Sequence, residues 1–160
     1  MSRGLGDVYK RQLMRSRAWE LKRDFPDAVI VLNGAVKTTA ECRALLDEVH
    51  DGVRIDGVMV GRAAYQTPWM LSEVDSVLYG ESCRTLTREA VIAAVEAEVE
   101  QYYAADEHVT RAFARHLNGL CQGLSGARVW RRTLADPKII KAEGPNLYRR
   151  AWREAFGTDF

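Results

Sequence analysis

Two short apolar runs, held apart by the length of one amphipathic helix, constrain this chain more than any other feature. The first, Ala28 to Leu32, ends on Asn33-Gly34, and the second, Ile55 to Val60, ends on Gly61. Each is too short for a helix, is rich in Val and Ile, and is bounded by turn residues, which predicts a buried strand. Between them, Thr38 or Thr39 can cap a helix that carries Cys42, Leu45, Leu46 and Val49 on one side. A hairpin would need only a short turn there. A helix-length crossover instead makes the two strands parallel, so the unit reads as βαβ in an α/β fold.

The flanking sequence extends this pattern. Ala18, Leu21 and Phe25 predict a helix that stops at Pro26, and a short helix through Ala64 and Trp69 runs from Gly61 toward a break at Tyr79-Gly80. Everything beyond reads as helical. Thr87 caps a long segment bearing Val91, Ile92, Val95, Val99, Tyr102 and Tyr103, with Glu96, Glu98 and Glu100 on its other face. Further helices are expected over Val109 to Leu120, over Ala127 to Leu134, and from Pro145 through Leu147, Tyr148, Ala151, Trp152 and Phe156.

A complete (β/α)8 barrel takes about 250 residues, and the chain has 160. Residues 1–12, MSRGLGDVYKRQ, have neither helical nor strand periodicity and no signal-peptide pattern, and are set aside as a non-native leader. The division expected from these patterns is 1–12 as leader, 13–80 as an α/β unit too short to be a whole barrel, and 81–160 as a helical domain. With 47% hydrophobic and 28% charged residues the chain belongs among globular proteins rather than disordered ones. Cys42, Cys83 and Cys121 are odd in number and widely spaced, which argues against a disulfide framework or a metal site. No apolar run approaches a membrane span, and a reducing cytoplasm is the expected location.

The net charge of +1 conceals an asymmetry. Leu13 to Glu107 carries 10 Lys and Arg against 17 Asp and Glu, whereas His108 to Phe160 carries 10 against 4. A basic C-terminal third is what a polyanion-binding surface needs, although an ordinary solvated Arg-rich face has the same composition.

The strand ends carry the candidate chemistry. In (β/α) barrels the loops after the last two strands hold phosphate groups, because small residues let backbone amides approach the anion and a helix N-terminus adds partial positive charge. Asn33, Gly34 and Ala35 follow the first strand, and Gly61 and Arg62 the second. The Arg62 guanidinium is a fork of donors suited to phosphate oxygens. Either turn alone is equally a plain loop; their recurrence on consecutive parallel strands is what singles them out.

The tract D-G-V-M-V-G-R-A-A-Y-Q-T-P-W at Asp56 to Trp69, preceded by N-G-A-V-K-T at Asn33 to Thr38, resembles the end of the barrel in tRNA-dihydrouridine synthases. R-H-L-N-G-L-C-Q-G-L-S-G-A-R-V-W-R-R at Arg115 to Arg132 resembles the helical domain of the A-type subfamily. The resemblance covers about residues 13 to 135. It implies a C-terminal fragment holding the last two βα units of a TIM barrel and a helical tRNA-binding domain. The enzyme so implied binds FMN, takes reducing equivalents from NADPH and reduces the C5=C6 bond of a tRNA uridine. It places the FMN phosphate on Asn33, Gly34, Ala35, Gly61 and Arg62, and tRNA on Arg115, Arg128, Arg131 and Arg132. His116, beside an apolar helix face, is expected to be structural. Trp69, Trp152, Tyr102 and Tyr103 are expected in the core, while Trp130, next to Arg131-Arg132, is the aromatic expected to stack on bases.

Where Ala35 stands the family usually has a second glycine, and aromatic and proline residues are expected where Cys121 and Ser125 stand. None of the three cysteines lies in a motif like that of the family's general-acid cysteine, so no catalytic residue is assigned and the chain by itself is expected to be inactive; two parallel strands without their neighbours leave open edges, so it is also expected to be poorly soluble. No metal or membrane partner is expected, and the full-length parent is expected to be monomeric. Two other readings fit parts of the sequence: a different phosphate-binding flavin barrel such as a dihydroorotate dehydrogenase-like enzyme, which leaves the basic tail without a role, and a stand-alone RNA-binding module.

Overall fold

The computed structural model describes residues 14–82 and 86–159. Residues 1–12 and Cys83, for which expectations are given above, lie outside them. The elements run α1 (Ser16–Asp24), β1 (Val31–Asn33), α2 (Thr39–Asp47), β2 (Gly57–Met59), α3 (Arg62–Gln66), a 3₁₀ segment (Pro68–Glu73) and α4 (Val74–Tyr79), then α5 (Arg88–Tyr103), α6 (Val109–Leu117), α7 (Ala127–Ala135), α8 (Pro137–Glu143), a 3₁₀ turn (Gly144–Asn146) and α9 (Leu147–Phe156).

The βαβ unit forms as its spacing predicts. β1 and β2 pair in parallel with Val31 opposite Gly57, Leu32 opposite Val58 and Asn33 opposite Met59. The Thr38 hydroxyl accepts the Glu41 amide and so starts α2, satisfying one of the donors that a helix start leaves free. The strands are shorter than the apolar runs and less covered. Ala28 and Val29 are not strand, because Asp56 intervenes: its amide donates to the Ile30 carbonyl and its carboxylate accepts the Ile30 amide at 2.7 Å. Val29 and Val31 are 78% and 52% exposed, which corrects the expectation of a buried run; in β1 only Leu32 faces the core.

That core is Trp19, Leu32, Val36, Cys42, Leu45 and Ile55, with Val58 and Leu78 at its margin. Trp19 reaches it from α1, its indole N–H donating to the Glu48 carbonyl at 3.2 Å. Gly80, in the left-handed conformation, ends α4, as the Tyr79-Gly80 break predicts.

A second core is built mainly from helices, with Ile92 and Val99 of α5, Leu117 of α6, Trp130 and Leu134 of α7 and Leu147, Tyr148 and Trp152 of α9 all buried. Thr87 caps α5 through the Ala90 amide. α7 lies directly on α9, so close at Gly126 that a methyl there would stand 2.4 Å from the Ala155 carbonyl oxygen. Trp130 meets Trp152 edge to face at 6.3 Å, and Tyr148 donates its hydroxyl to the Thr110 carbonyl at 2.7 Å.

Four helical expectations need correction. Trp130 is not a surface aromatic: it is fully buried and its N–H is spent on the Leu117 carbonyl at 2.9 Å. Tyr102, expected in the core, is 48% exposed. The stretch after Ala135 holds an additional helix, α8, which Asp136 caps through the amides of Lys138 and Ile139 with Pro137 in the first turn. α6 also ends at Leu117 rather than Leu120, although Leu120 and Cys121 remain buried.

Candidate functional site: the strand-end hollow and the groove beside it

The loops after β1 and β2 open on one hollow of about 1160 Å³. Asn33, Ala35 and Thr38 line it from the first loop, and Met59, Gly61 and Arg62 from the second. Both loops emerge from carboxyl ends of parallel strands, where open α/β sheets place ligands. Four of the five residues singled out as phosphate holders therefore converge. The fifth, Gly34, is buried behind them, and its carbonyl accepts from the Arg15 guanidinium at 2.9 Å.

This loop is braced from below. Arg15 also pairs with Glu41 at 2.9 Å, and the other Glu41 oxygen accepts the Lys37 amide at 2.9 Å. The Lys37 amide and then Arg15 hold the Glu41 carboxyl below its ordinary pKa, so it stays an acceptor. The strain lies at Ala35, whose φ is +50°. That left-handed conformation is costly for any residue with a Cβ.

On the other loop, Gly61 precedes α3 with Met59 the only group within 4 Å of where its Cβ would stand, the nearest atom being the thioether sulfur at 3.5 Å. Its backbone is thus open on the remaining sides. Arg62 is exposed and makes no ion pair among the described residues. Accessible small-residue backbone, a free guanidinium and a helix's first unspent amides suit a phosphate monoester. One carboxylate, Glu73, also lines the hollow, and its Oε2 accepts the Thr39 hydroxyl at 2.8 Å.

The arginines assigned to RNA divide into two sets. Arg115 and Arg131 line a second groove of about 600 Å³ between the helical core and α3, together with Tyr65, Asn118 and Gln122. Arg128 and Arg132 are exposed on α7 and carry no salt bridge among the described residues. The rest of the basic tail is partly neutralised. Arg149 pairs with Glu96, Arg150 with Glu143 and Glu154, and Arg153 with Asp159. His116 is exposed and meets the Tyr65 ring edge-on at 5.6 Å.

The two thiols among the described residues are poor candidates for proton transfer. Cys42 and Cys121 are buried, and burial raises both, Cys121 to about 11. Among the described residues no cluster of His, Cys, Asp and Glu is placed to hold a metal ion, and no helix is long and apolar enough to cross a membrane.

The family model for dihydrouridine synthase matches residues 9–156. The chain belongs to the dihydrouridine synthase family. Within it, the chain is 42% identical over 140 residues to a tRNA-dihydrouridine(20/20a) synthase of Shewanella oneidensis, covering 86% of this chain and 39% of that protein. It is 42% identical over 131 residues to the enzyme of the same name from Pseudomonas putida, covering 80% and 36%. With the enzyme of that name from Escherichia coli K12 it shares 38% over 120 residues, covering 75% and 33%. The chain thus spans little more than a third of the length of the curated relatives it matches. Of the residues that line the two hollows, Gln66, Thr67, Asn118 and Gln122 escape sequence reasoning, because uncharged amides and hydroxyls carry no periodicity or spacing signal.

Proposed function

We propose that this chain supplies the phosphate-holding end of an FMN-binding (β/α)8 barrel and the tRNA-holding helices of a tRNA-dihydrouridine synthase, with residues 13–80 and 81–160 taking the two roles. The observation that carries this reading is the convergence of Asn33, Ala35, Gly61 and Arg62 on one hollow at the carboxyl ends of two parallel strands in a member of the dihydrouridine synthase family.

When bound, FMN reduced by NADPH supplies the hydride that saturates the C5=C6 bond of the uracil. The residues of this chain position and neutralise. Arg62 offsets the phosphate charge, Ala35 and Gly61 let backbone approach it, and Gly34, braced by Arg15, fixes the loop. Arg115, Arg128, Arg131 and Arg132 hold RNA phosphates. Cys42 and Cys121, buried and with their thiols raised by that burial, are not the proton donors to the uracil carbon in this reading, and the part played by the described residues is binding.

The test is a titration of the chain with FMN and with riboflavin, which lacks the phosphate, beside filter binding of an unmodified tRNA transcript at rising salt. FMN is expected to bind more tightly than riboflavin, and Arg62→Ala to remove the difference. tRNA affinity is expected to fall steeply with salt. Equal affinity for the two flavins would refute the phosphate cradle, and FMN-preferring binding without tRNA affinity would favour another flavin barrel.

A further inference from the structure

The groove beside the hollow has the chemistry of a nucleotide site rather than of a bare anion site. Its charged lining is Arg115 and Arg131, with no carboxylate, so it favours an anion. Between the arginines stand neutral amides, Asn118 and Gln122, each able to donate and accept. The Gln122 side-chain oxygen already receives Arg131 at 2.7 Å, which orients its NH2 group as the free donor. Tyr65, 56% exposed, offers a ring fixed by its edge contact with His116. A base needs an aromatic face and amide partners for its edge; a free phosphate needs neither.

Position identifies which nucleotide. Gln66 and Thr67 line both the groove and the strand-end hollow, so a wall two residues thick separates them. The wall is firm. A methyl on Gly119 would stand 2.0 Å from the Gln66 carbonyl oxygen, Arg88 lies over Trp69 at 4.0 Å, and the same guanidinium donates to the Leu120 carbonyl at 2.9 Å. The groove is therefore preformed, and its occupant sits beside whatever enters the hollow.

We propose that this groove reads one unpaired RNA nucleotide close along the chain to the uridine presented at the flavin. Tyr65 lies against its base, Asn118 and Gln122 meet its edge, and Arg115 and Arg131 take the adjoining phosphates. The assignment rests on the reading of the hollow given above and adds a specificity determinant to it: the enzyme senses a neighbour of its target as well as the target.

The experiment measures binding of an unmodified tRNA transcript, and of transcripts carrying a single abasic nucleotide scanned through the dihydrouridine loop, to the wild-type chain, Asn118→Ala, Gln122→Ala and Arg131→Ala. One abasic position is expected to weaken wild-type binding about tenfold, the scale of a lost amide-to-base contact. Asn118→Ala is expected to weaken binding of the intact transcript similarly and to add no further loss on that abasic transcript. Arg131→Ala should weaken every transcript alike and lower the salt slope by about one. Asn118 and Gln122 are exposed, so unchanged melting curves are expected to accompany the losses. Losses that are equal on all transcripts for Asn118→Ala, or absent for both amide variants, overturn the nucleotide site while leaving the proposed function standing if the wild-type chain binds FMN and tRNA. Failure of the wild-type chain to bind tRNA overturns both.

Discussion

Replacing Ala35 by glycine should stabilise the protein, against the usual expectation for an alanine-to-glycine change. Ala35 sits at φ +50°, where the Cβ clash costs roughly 1–2 kcal/mol. Glycine removes that cost but brings about 0.5–1 kcal/mol of extra backbone entropy to the unfolded chain. The midpoints of the two ranges leave a net gain of about 0.75 kcal/mol, or a midpoint rise of roughly 3–6 °C for the sheet-bearing core on the scale of a 60–100-residue domain. The assay is thermal and urea unfolding of wild type, Ala35→Gly and Ala35→Val, followed through Trp19, which is buried in that core. Valine, branched at Cβ, should lose stability where glycine gains it. Because Ala35 also lines the hollow, FMN affinity of Ala35→Gly should be equal or higher. A loss of about 0.5–1 kcal/mol in Ala35→Gly is what an alanine in ordinary backbone would give, and it would refute the left-handed turn.

Gly119→Ala drives a methyl against the Gln66 carbonyl and Pro68, backbone and ring that cannot swing aside; it should cost about 1–3 kcal/mol in urea unfolding and weaken tRNA binding, and wild-type stability would contradict the close junction. Asp56 accepts both the Ile30 amide and Lys22, and these hold its carboxyl below the usual aspartate range. A depressed folded pKa stabilises above the unfolded value and is lost as pH falls through the folded one. Asp56→Asn should therefore lower stability at pH 7, with the deficit shrinking as acid protonates the wild-type carboxyl below the ordinary aspartate range; a deficit that stays constant across the acid range would argue against this ion pair. Arg128→Ala and Arg132→Ala should each lower the salt slope of tRNA binding by about one, whereas Arg150→Ala, whose guanidinium is occupied by Glu143 and Glu154, should leave a larger share of that slope intact. Equal slopes for the three variants would show that ion pairing does not withdraw Arg150 from RNA.

The helical core explains why charge composition overstated the RNA surface. The balance of 10 basic against 4 acidic residues after Glu107 counts Arg149, Arg150 and Arg153 as available. In the fold they face Glu96 from α5, Glu143 from α8, and Glu154 and Asp159 from their own end of the chain. What remains for a polyanion is concentrated on α6 and α7, on either side of the groove and along the outer face of α7.

The sequence by itself determined what depends on neighbours a few residues away. Thr38 and Thr87 start helices because a hydroxyl reaches an amide three residues on, and Gly80 ends one because it takes the left-handed turn. The parallel pairing followed from the length of the crossover alone. Even the overlooked helix α8 is locally encoded in Asp136-Pro137. Tertiary structure decided whatever depends on a partner far along the chain. Trp130 is withdrawn from the surface by Leu117 and Trp152, although its arginine neighbours argue for exposure. Tyr102 is left on the exposed side of α5, the helix that buries Ile92 and Val99. Gln66 and Thr67 become the wall between hollow and groove because Gly119, more than fifty positions later, lets two backbones touch. Caps and breaks act through a fixed, short reach that residue order specifies; burial and shared walls depend on which distant faces meet, and only the folded chain brings those faces together.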